Sequence, residues 1–198
     1  MWLLAPLGRL DEAAAETEAL TYERPYSRRL RFDHARILTF LGRFPEAVRQ
    51  LELILEFEPD FPGGAWALAM AYEHADRPAD ARALHERQVG QFARPYPLVV
   101  RWLEAARALW DGDRERARAI VEAMEADAPP TPVAASVMTD AWLRLGDADH
   151  AFGWLERAAD QRLLRVLHLA VDPDYASLRG EPRFAALLAR MGLAPAGA

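Results

Sequence analysis

The chain has 198 residues, of which 52% are hydrophobic and 27% are charged, and it contains no cysteine. This composition is typical of an ordered protein with a buried core, and the missing cysteine excludes disulfide bonds and thiolate metal sites. The formal net charge of −6 provides no general attraction to nucleic acids or anionic membranes, so we expect neither as a partner.

The N-terminal segment and the apolar runs bear on location. Residues 1–6 lack the positively charged start and the long apolar core of a secretory signal peptide. The longest apolar runs, such as 97–100 and 167–171, are much shorter than the roughly 18 residues of a membrane-spanning helix. We therefore expect a cytoplasmic protein without a membrane-spanning helix.

A regular repeat is the strongest feature of the chain. An alanine recurs at intervals of 34, 34, 36 and 34 residues, at Ala13, Ala47, Ala81, Ala117 and Ala151. A turn residue stands five positions before each of them, at Gly8, Gly42, Asp76, Gly112 and Gly146. Prolines keep the same spacing, at Pro25, Pro59, Pro95 and Pro129. Such self-similarity predicts a stacked array of helical units.

Residues 28–61 show how one unit is built. An apolar-periodic stretch ends at Gly42, which suits the left-handed residue that follows many helices. A second stretch opens at Pro45, which suits the first turn of a helix because its missing amide hydrogen would be unpaired there anyway. Asp113 and Asp147 can cap the corresponding helices of later units. Each unit is therefore predicted to be two antiparallel helices joined by a tight turn.

These helix pairs of 34 residues, with a small residue at the crossing, a Gly or Asp turn and a terminal proline, resemble tetratricopeptide repeats (TPRs). The resemblance covers residues 1 to about 163 and implies an all-α, right-handed solenoid of antiparallel helix pairs. The predicted array comprises a half repeat at 1–27 and repeats at 28–61, 62–97, 98–131 and 132–165. An aromatic residue common in the second helix of the family is replaced here by Thr17, Leu51, His85, Val121 and Leu155.

The C-terminal residues 166–193 resemble the segment that closes TPR arrays in bacterial multidomain regulators. Four apolar residues share one face of a short predicted helix after Pro182: Phe184, Leu187, Leu188 and Met191. In such regulators a kinase, cyclase or winged-helix domain often precedes the repeats, and this chain has none of their motifs. The resemblance therefore also fits a regulatory or sensor module that is separate from its effector domain.

The sequence contains no recognisable catalytic or metal-binding motif. The histidines form neither HExxH nor any other zinc-type spacing: His34, His74, His85, His150 and His168. A GxSxG elbow and a phosphate-binding loop are also missing. We therefore expect no enzyme activity, no cofactor and no metal ion.

The resemblance implies a concave groove lined by the first helices of successive repeats. The first repeat would contribute Arg29, Phe32, Arg36 and Phe40, and the second Trp66, Met70, Glu73 and His74. The third would contribute Trp102, Leu109 and Trp110, and the fourth Asp140 and Arg144. The spacing independently places the four residues of the first repeat on one helix face. Aromatic and arginine side chains are enriched in binding hot spots, but rings at this spacing also fill the space between helices.

We therefore expect a non-enzymatic scaffold that binds a peptide or protein segment in this groove. The lysine and asparagine pattern with which some TPR domains clamp a C-terminal carboxylate is missing, so we do not expect a chaperone-tail clamp. The array opens on half a unit, so its N-terminal edge could pack against an upstream domain or against a second copy of the chain. The regulatory module remains the alternative.

Overall fold

The computed structural model describes residues 3–92, 97–129 and 131–193, and all regular structure within them is helical. The α-helices are α1 (Leu10–Glu23), α2 (Arg28–Phe40), α3 (Phe44–Phe57), α4 (Pro62–His74), α5 (Pro78–Phe92), α6 (Pro97–Trp110), α7 (Arg114–Asp127), α8 (Pro132–Arg144), α9 (Ala148–Asp160) and α10 (Pro182–Arg190). Three 3-10 helices accompany them, at Ala5–Leu7, Leu164–His168 and Pro173–Leu178. The predicted all-α fold of consecutive helix pairs is confirmed.

The turns within the helix pairs have the backbone geometry that their residues favour. Gly42 has a φ of 72°, and the Arg43 amide donates to the Leu38 carbonyl at 2.9 Å, which closes the end of α2. Asp76 occupies the same place after α4 with a φ of 56°, a conformation that aspartate tolerates better than most residues. These turns reverse the chain in three residues, and after the Gly42 turn α3 packs on α2.

Side-chain caps start several of the helices. Asp113 accepts the Arg116 amide at 3.0 Å, and Asp147 accepts the His150 amide at 3.3 Å, as predicted. Ser27 and Thr131 cap α2 and α8 in the same way. Each cap satisfies an amide that has no partner inside its helix.

The alanines that recur along the chain lie on α1, α3, α5, α7 and α9. The five periodic alanines are fully buried: Ala13, Ala47, Ala81, Ala117 and Ala151. A larger side chain at these positions would force the helix axes apart and strain the packing around them. The period of the sequence therefore marks a fully buried position that recurs on each of these helices.

The positions where the family carries an aromatic residue are also buried, at Thr17, Leu51, His85, Val121 and Leu155. Thr17 replaces a ring with a hydroxyl, and its Oγ1 lies 2.8 Å from Nδ1 of His34 on α2. Burial lowers the pKa of His34, which favours the neutral imidazole in this contact. A polar pair therefore joins α1 to α2 where the family uses aromatic packing.

Contacts group the described residues into two compact units. Unit 1 contains residues 3–88 with 170–173 and 193, and unit 2 contains the described residues of 89–169 and 174–192. In unit 1, α1 packs on α2, α2 on α3 and α3 on α4, and the first helices α2 and α4 also touch. In unit 2, α6 pairs with α7, α8 pairs with α9, and the first helices α6 and α8 lie side by side. The bounds predicted for the repeats stay a prediction.

None of the helices within residues 3–92, 97–129 and 131–193 combines the length and the apolar character that crossing a bilayer requires.

Candidate functional site

A buried ion pair lies on the face of α2 that was predicted to line the groove. Arg36 Nη2 donates to Asp172 Oδ2 at 2.7 Å, and the two side chains are only 7% and 1% exposed. The Arg36 guanidinium also lies 4.9 Å from the centre of the Phe40 ring. Asp172 belongs to the stretch 170–173, which groups with unit 1. The closing segment of the chain therefore supplies a carboxylate to a helix face that was predicted to meet a partner.

The beginning of α2 remains accessible. The Arg29 side chain is 74% exposed, and its Nε donates to Asp33 Oδ2 at 2.8 Å. Phe32 is half-buried and meets Phe61 edge to face, with 5.4 Å between the ring centres. Arg28 lies over the Phe61 ring at 4.7 Å. Phe61 therefore holds the Phe32 ring on one side, while Phe32 as a whole remains only half-buried.

The face of α4 is divided in a similar way. Met70 is buried, whereas Trp66, Glu73 and His74 are half-buried. The His74 imidazole stacks on Phe44 of α3, with ring centres 4.9 Å apart and an angle of 14° between the planes. The contact with Phe44 fixes the orientation of the imidazole at the end of α4.

Three predicted groove residues of unit 2 form a cluster between α6 and α8, in which Trp102 and Asp140 are buried and Arg144 is half-buried. Trp102 is 1% exposed, and its Nε1 donates to Asp140 Oδ2 at 2.5 Å. Arg144 Nε donates to the same oxygen at 2.8 Å, and its guanidinium lies 5.2 Å from the Trp102 ring centre. The structure brings these predicted residues together in space, but burial leaves no Trp102 ring surface for a ligand.

Burial therefore divides the predicted groove residues into two sets. The buried set is Arg36, Phe40, Met70, Trp102 and Asp140. The set with accessible surface is Arg29, Phe32, Trp66, Glu73, His74, Leu109, Trp110 and Arg144. Both sets recur on the same helix faces, which is why periodicity alone did not separate them. Binding of a partner by the accessible set stays a prediction.

Sequence reasoning missed a polar cluster around Trp142. The buried Trp142 ring stacks on His150, with ring centres 4.2 Å apart, and the Arg118 guanidinium lies 5.5 Å from the Trp142 ring centre. Asp147 lies 2.9 Å from His150 Nδ1 and accepts from Arg118 at 3.2 Å. The contact with Asp147 raises the pKa of His150 and lowers that of the Asp147 carboxyl. The signal in the sequence was the spacing of three between the capping aspartate and the histidine.

Two surface clefts of unit 2 lie away from the predicted groove residues. One of about 250 Å³ is lined in part by Glu125 and Trp154, whose Nε1 donates to that carboxylate at 2.7 Å. The other, of about 490 Å³, has Leu163 and Val166 among its lining residues and Arg162 and Arg190 beside them. Across the part of the chain that the structure describes, no group of three or more His, Asp or Glu residues could hold a metal ion.

Comparisons with known proteins agree with this architecture. No protein-family model matches the sequence, and no curated protein sequence matches it. The fold is similar to the crystal structure of TTC0263, a thermophilic TPR protein of Thermus thermophilus, with a TM-score of 0.55. The two chains are 22% identical, and the match covers 94% of each. The likeness concerns the fold alone, and it shows that this chain has the fold of a tetratricopeptide-repeat protein.

Proposed function

We propose that the protein is a non-enzymatic scaffold that binds a peptide or protein segment on the first helices of its repeats. The observation that carries the proposal is the group of accessible ring-bearing and arginine side chains on α2 and α4. Arg29 and Phe32 represent α2, and Trp66 and His74 represent α4. These two helices touch within unit 1, and helical repeats offer such faces as extended binding surfaces.

Packing of these rings against neighbouring aromatic side chains favours binding. Phe32 is held edge to face by Phe61, and His74 is stacked on Phe44. A ring that is already held from one side loses little conformational entropy when a partner covers its other side. Arg29 stands beside Phe32 with most of its side chain in solvent, so it can pair with an acidic group of the partner.

A matched pair of phenylalanine variants tests the proposal. Peptides would be selected from a displayed random library on the wild-type protein, and their Kd measured by calorimetry. Phe32→Ala should raise the Kd roughly tenfold or more, the size of a hot-spot contact. Phe57→Ala is the control, because Phe57 is 72% exposed but lies on the second helix α3. Circular dichroism would verify that both variants remain folded.

Two outcomes would contradict the proposal. One is a library that yields no binding peptide for the wild-type protein. The other is a set of peptides whose affinity falls as much with Phe57→Ala as with Phe32→Ala, because binding would then not involve the first helices.

A regulatory module of a bacterial multidomain regulator is the second candidate. The Arg36–Asp172 pair favours it, since a closing segment that holds a charged residue of the binding face offers a means of control. Reading frames encoding a kinase, cyclase or winged-helix domain directly beside the gene would support this role. A cytoplasmic location belongs to both candidates and can be checked by cell fractionation.

Self-association through the N-terminal edge is part of the proposal. Tyr22 on α1 and Tyr26 after it are among the most exposed large side chains of the described residues. Exposed aromatic surface of this kind favours packing against a second copy. Light scattering would reveal a dimer that Tyr22→Ser weakens, whereas a monomer at all concentrations would exclude this contact.

A further inference from the structure

The Arg36–Asp172 ion pair joins residues that are 136 positions apart in the sequence. Both side chains are almost completely buried, and a buried charge is costly unless it is paired. Arg36 therefore requires a carboxylate at this place, and Asp172 supplies it. The planar guanidinium matches a carboxylate in geometry, so the site itself is suited to other carboxylates.

Arg36 shares its helix face with the accessible residues of α2. Phe32 precedes it by four positions and Arg29 by seven, and both spacings return to the same side of a helix. Asp172 consequently lies at the inner end of the face on which we place the partner.

The segment that carries Asp172 is not part of an α-helix. It lies between the 3-10 helices Leu164–His168 and Pro173–Leu178. Ala170, Val171 and Asp172 are themselves buried, so release of this segment uncovers apolar surface, but it breaks no α-helical hydrogen bonds. Release of 170–173 therefore disrupts less of the structure than release of a whole helix pair.

We propose that residues 170–173 are an internal ligand of the α2 face, and that an acidic side chain of the protein partner replaces Asp172 on Arg36. The inference rests on the proposed scaffold function and names the chemistry of the partner: an acidic segment with an apolar or aromatic residue for Phe32. A tethered ligand competes at a high effective concentration, so it lowers the apparent affinity for the partner.

Chemical rescue tests whether Arg36 accepts a carboxylate from solution. In Asp172→Ala the arginine loses its internal partner, and the melting temperature should fall. Sodium acetate should then raise the melting temperature of this variant by roughly 3 °C or more over sodium chloride at equal ionic strength. The wild type, Asp174→Ala and the double variant Arg36→Gln/Asp172→Ala should show no such difference. An equal acetate effect in all four proteins would overturn the carboxylate site.

Peptide affinity tests whether the internal ligand competes with a partner. The isosteric Asp172→Asn removes the charge with little change in shape, so this variant can be used for peptide binding even if Asp172→Ala does not fold. Selected acidic peptides should bind Asp172→Asn at least roughly tenfold more tightly than wild type. The gain should disappear when the acidic residue of the peptide becomes its amide, and also in Arg36→Gln/Asp172→Asn.

The outcomes separate this inference from the scaffold function. Peptides that depend on Phe32 but bind wild type and Asp172→Asn within twofold would overturn the internal ligand and leave the function standing. If acetate rescues Asp172→Ala but no peptide binds the wild type or Asp172→Asn, the scaffold function is overturned and Arg36 remains a carboxylate site. A gain that is independent of the acidic residue in the peptide would overturn the exchange of carboxylates.

Discussion

Replacing Trp102 tests the distinction between core and binding surface. The ring is 1% exposed between α6 and α8, so Trp102→Ala removes a fully buried side chain and leaves a cavity. Substitutions of this kind reduce the free energy of unfolding by about 3–5 kcal/mol. Asp140 would also lose the indole donor but keep Arg144 Nε at 2.8 Å. We therefore expect a loss within that range.

Trp102→Phe separates the ring from its hydrogen bond. Phenylalanine keeps most of the apolar volume, but it cannot donate to the buried Asp140 carboxylate. The loss of one buried hydrogen bond and a small change in volume should reduce the free energy of unfolding by about 1–3 kcal/mol. The phenylalanine variant should therefore be more stable than the alanine variant.

Urea unfolding followed by circular dichroism would measure both losses. Because contacts divide the chain into two compact units, the curves should be fitted without assuming a single transition. The Kd of selected peptides should be unchanged in Trp102→Phe, since the ring has no surface for them. A loss below about 1 kcal/mol in Trp102→Ala, or tenfold weaker peptide binding at unchanged stability in Trp102→Phe, would refute the reasoning.

Three further predictions concern titration and backbone geometry. The contact with Asp147 raises the folded-state pKa of His150. The contact therefore stabilises the fold fully below the unfolded-state pKa of about 6.5, and this stabilisation is lost as the pH rises through the raised folded-state pKa. The difference in melting temperature between wild type and His150→Phe should shrink over that interval, and one that grows would contradict this account. Burial raises the pKa of Tyr72 to about 12, so Tyr72→Phe should remove the last step of tyrosinate formation in an ultraviolet titration. Gly42→Ala should destabilise by about 1–2 kcal/mol because φ is 72°, whereas Gly153→Ala, in an open place on a helix, should stabilise by about 0.4–1 kcal/mol in the same urea assay.

The helix pairs could be predicted because their signals are local. Gly42 ends a helix through its own backbone freedom, and Asp113 caps one through an amide three residues away. The periodic alanines mark a fully buried position that recurs in each unit, so one unit is enough to recognise it. The same rules apply to every unit, and repetition made the prediction of the fold strong.

The proposed binding face could be predicted only in part, because the burial of its residues depends on distant parts of the chain. The position of Arg36 on α2 followed from spacing, but its burial depends on Asp172, which is 136 residues away in the sequence. Trp102 became core because Asp140 and Arg144 on another helix cover it. Helical spacing reports the side of a helix on which a residue lies, and not what the rest of the chain places there.

Position along the first helices accounts for part of the division of the groove residues. Arg36, Met70, Trp102 and Asp140 occupy the interior of α2, α4, α6 and α8 and are buried, whereas most of the accessible set lies in the first or last turn. Phe32 and Trp66, each the fifth residue of its helix, are half-buried exceptions. Phe40 is buried at the end of α2, where the Arg36 guanidinium lies against its ring. Substitutions in the buried set should therefore act first on stability, and those in the accessible set should act first on partner choice under the proposed function. Under the proposed exchange Arg36 belongs to both classes, since Asp172 satisfies its charge in this structure and an acidic side chain of the partner would do so after release.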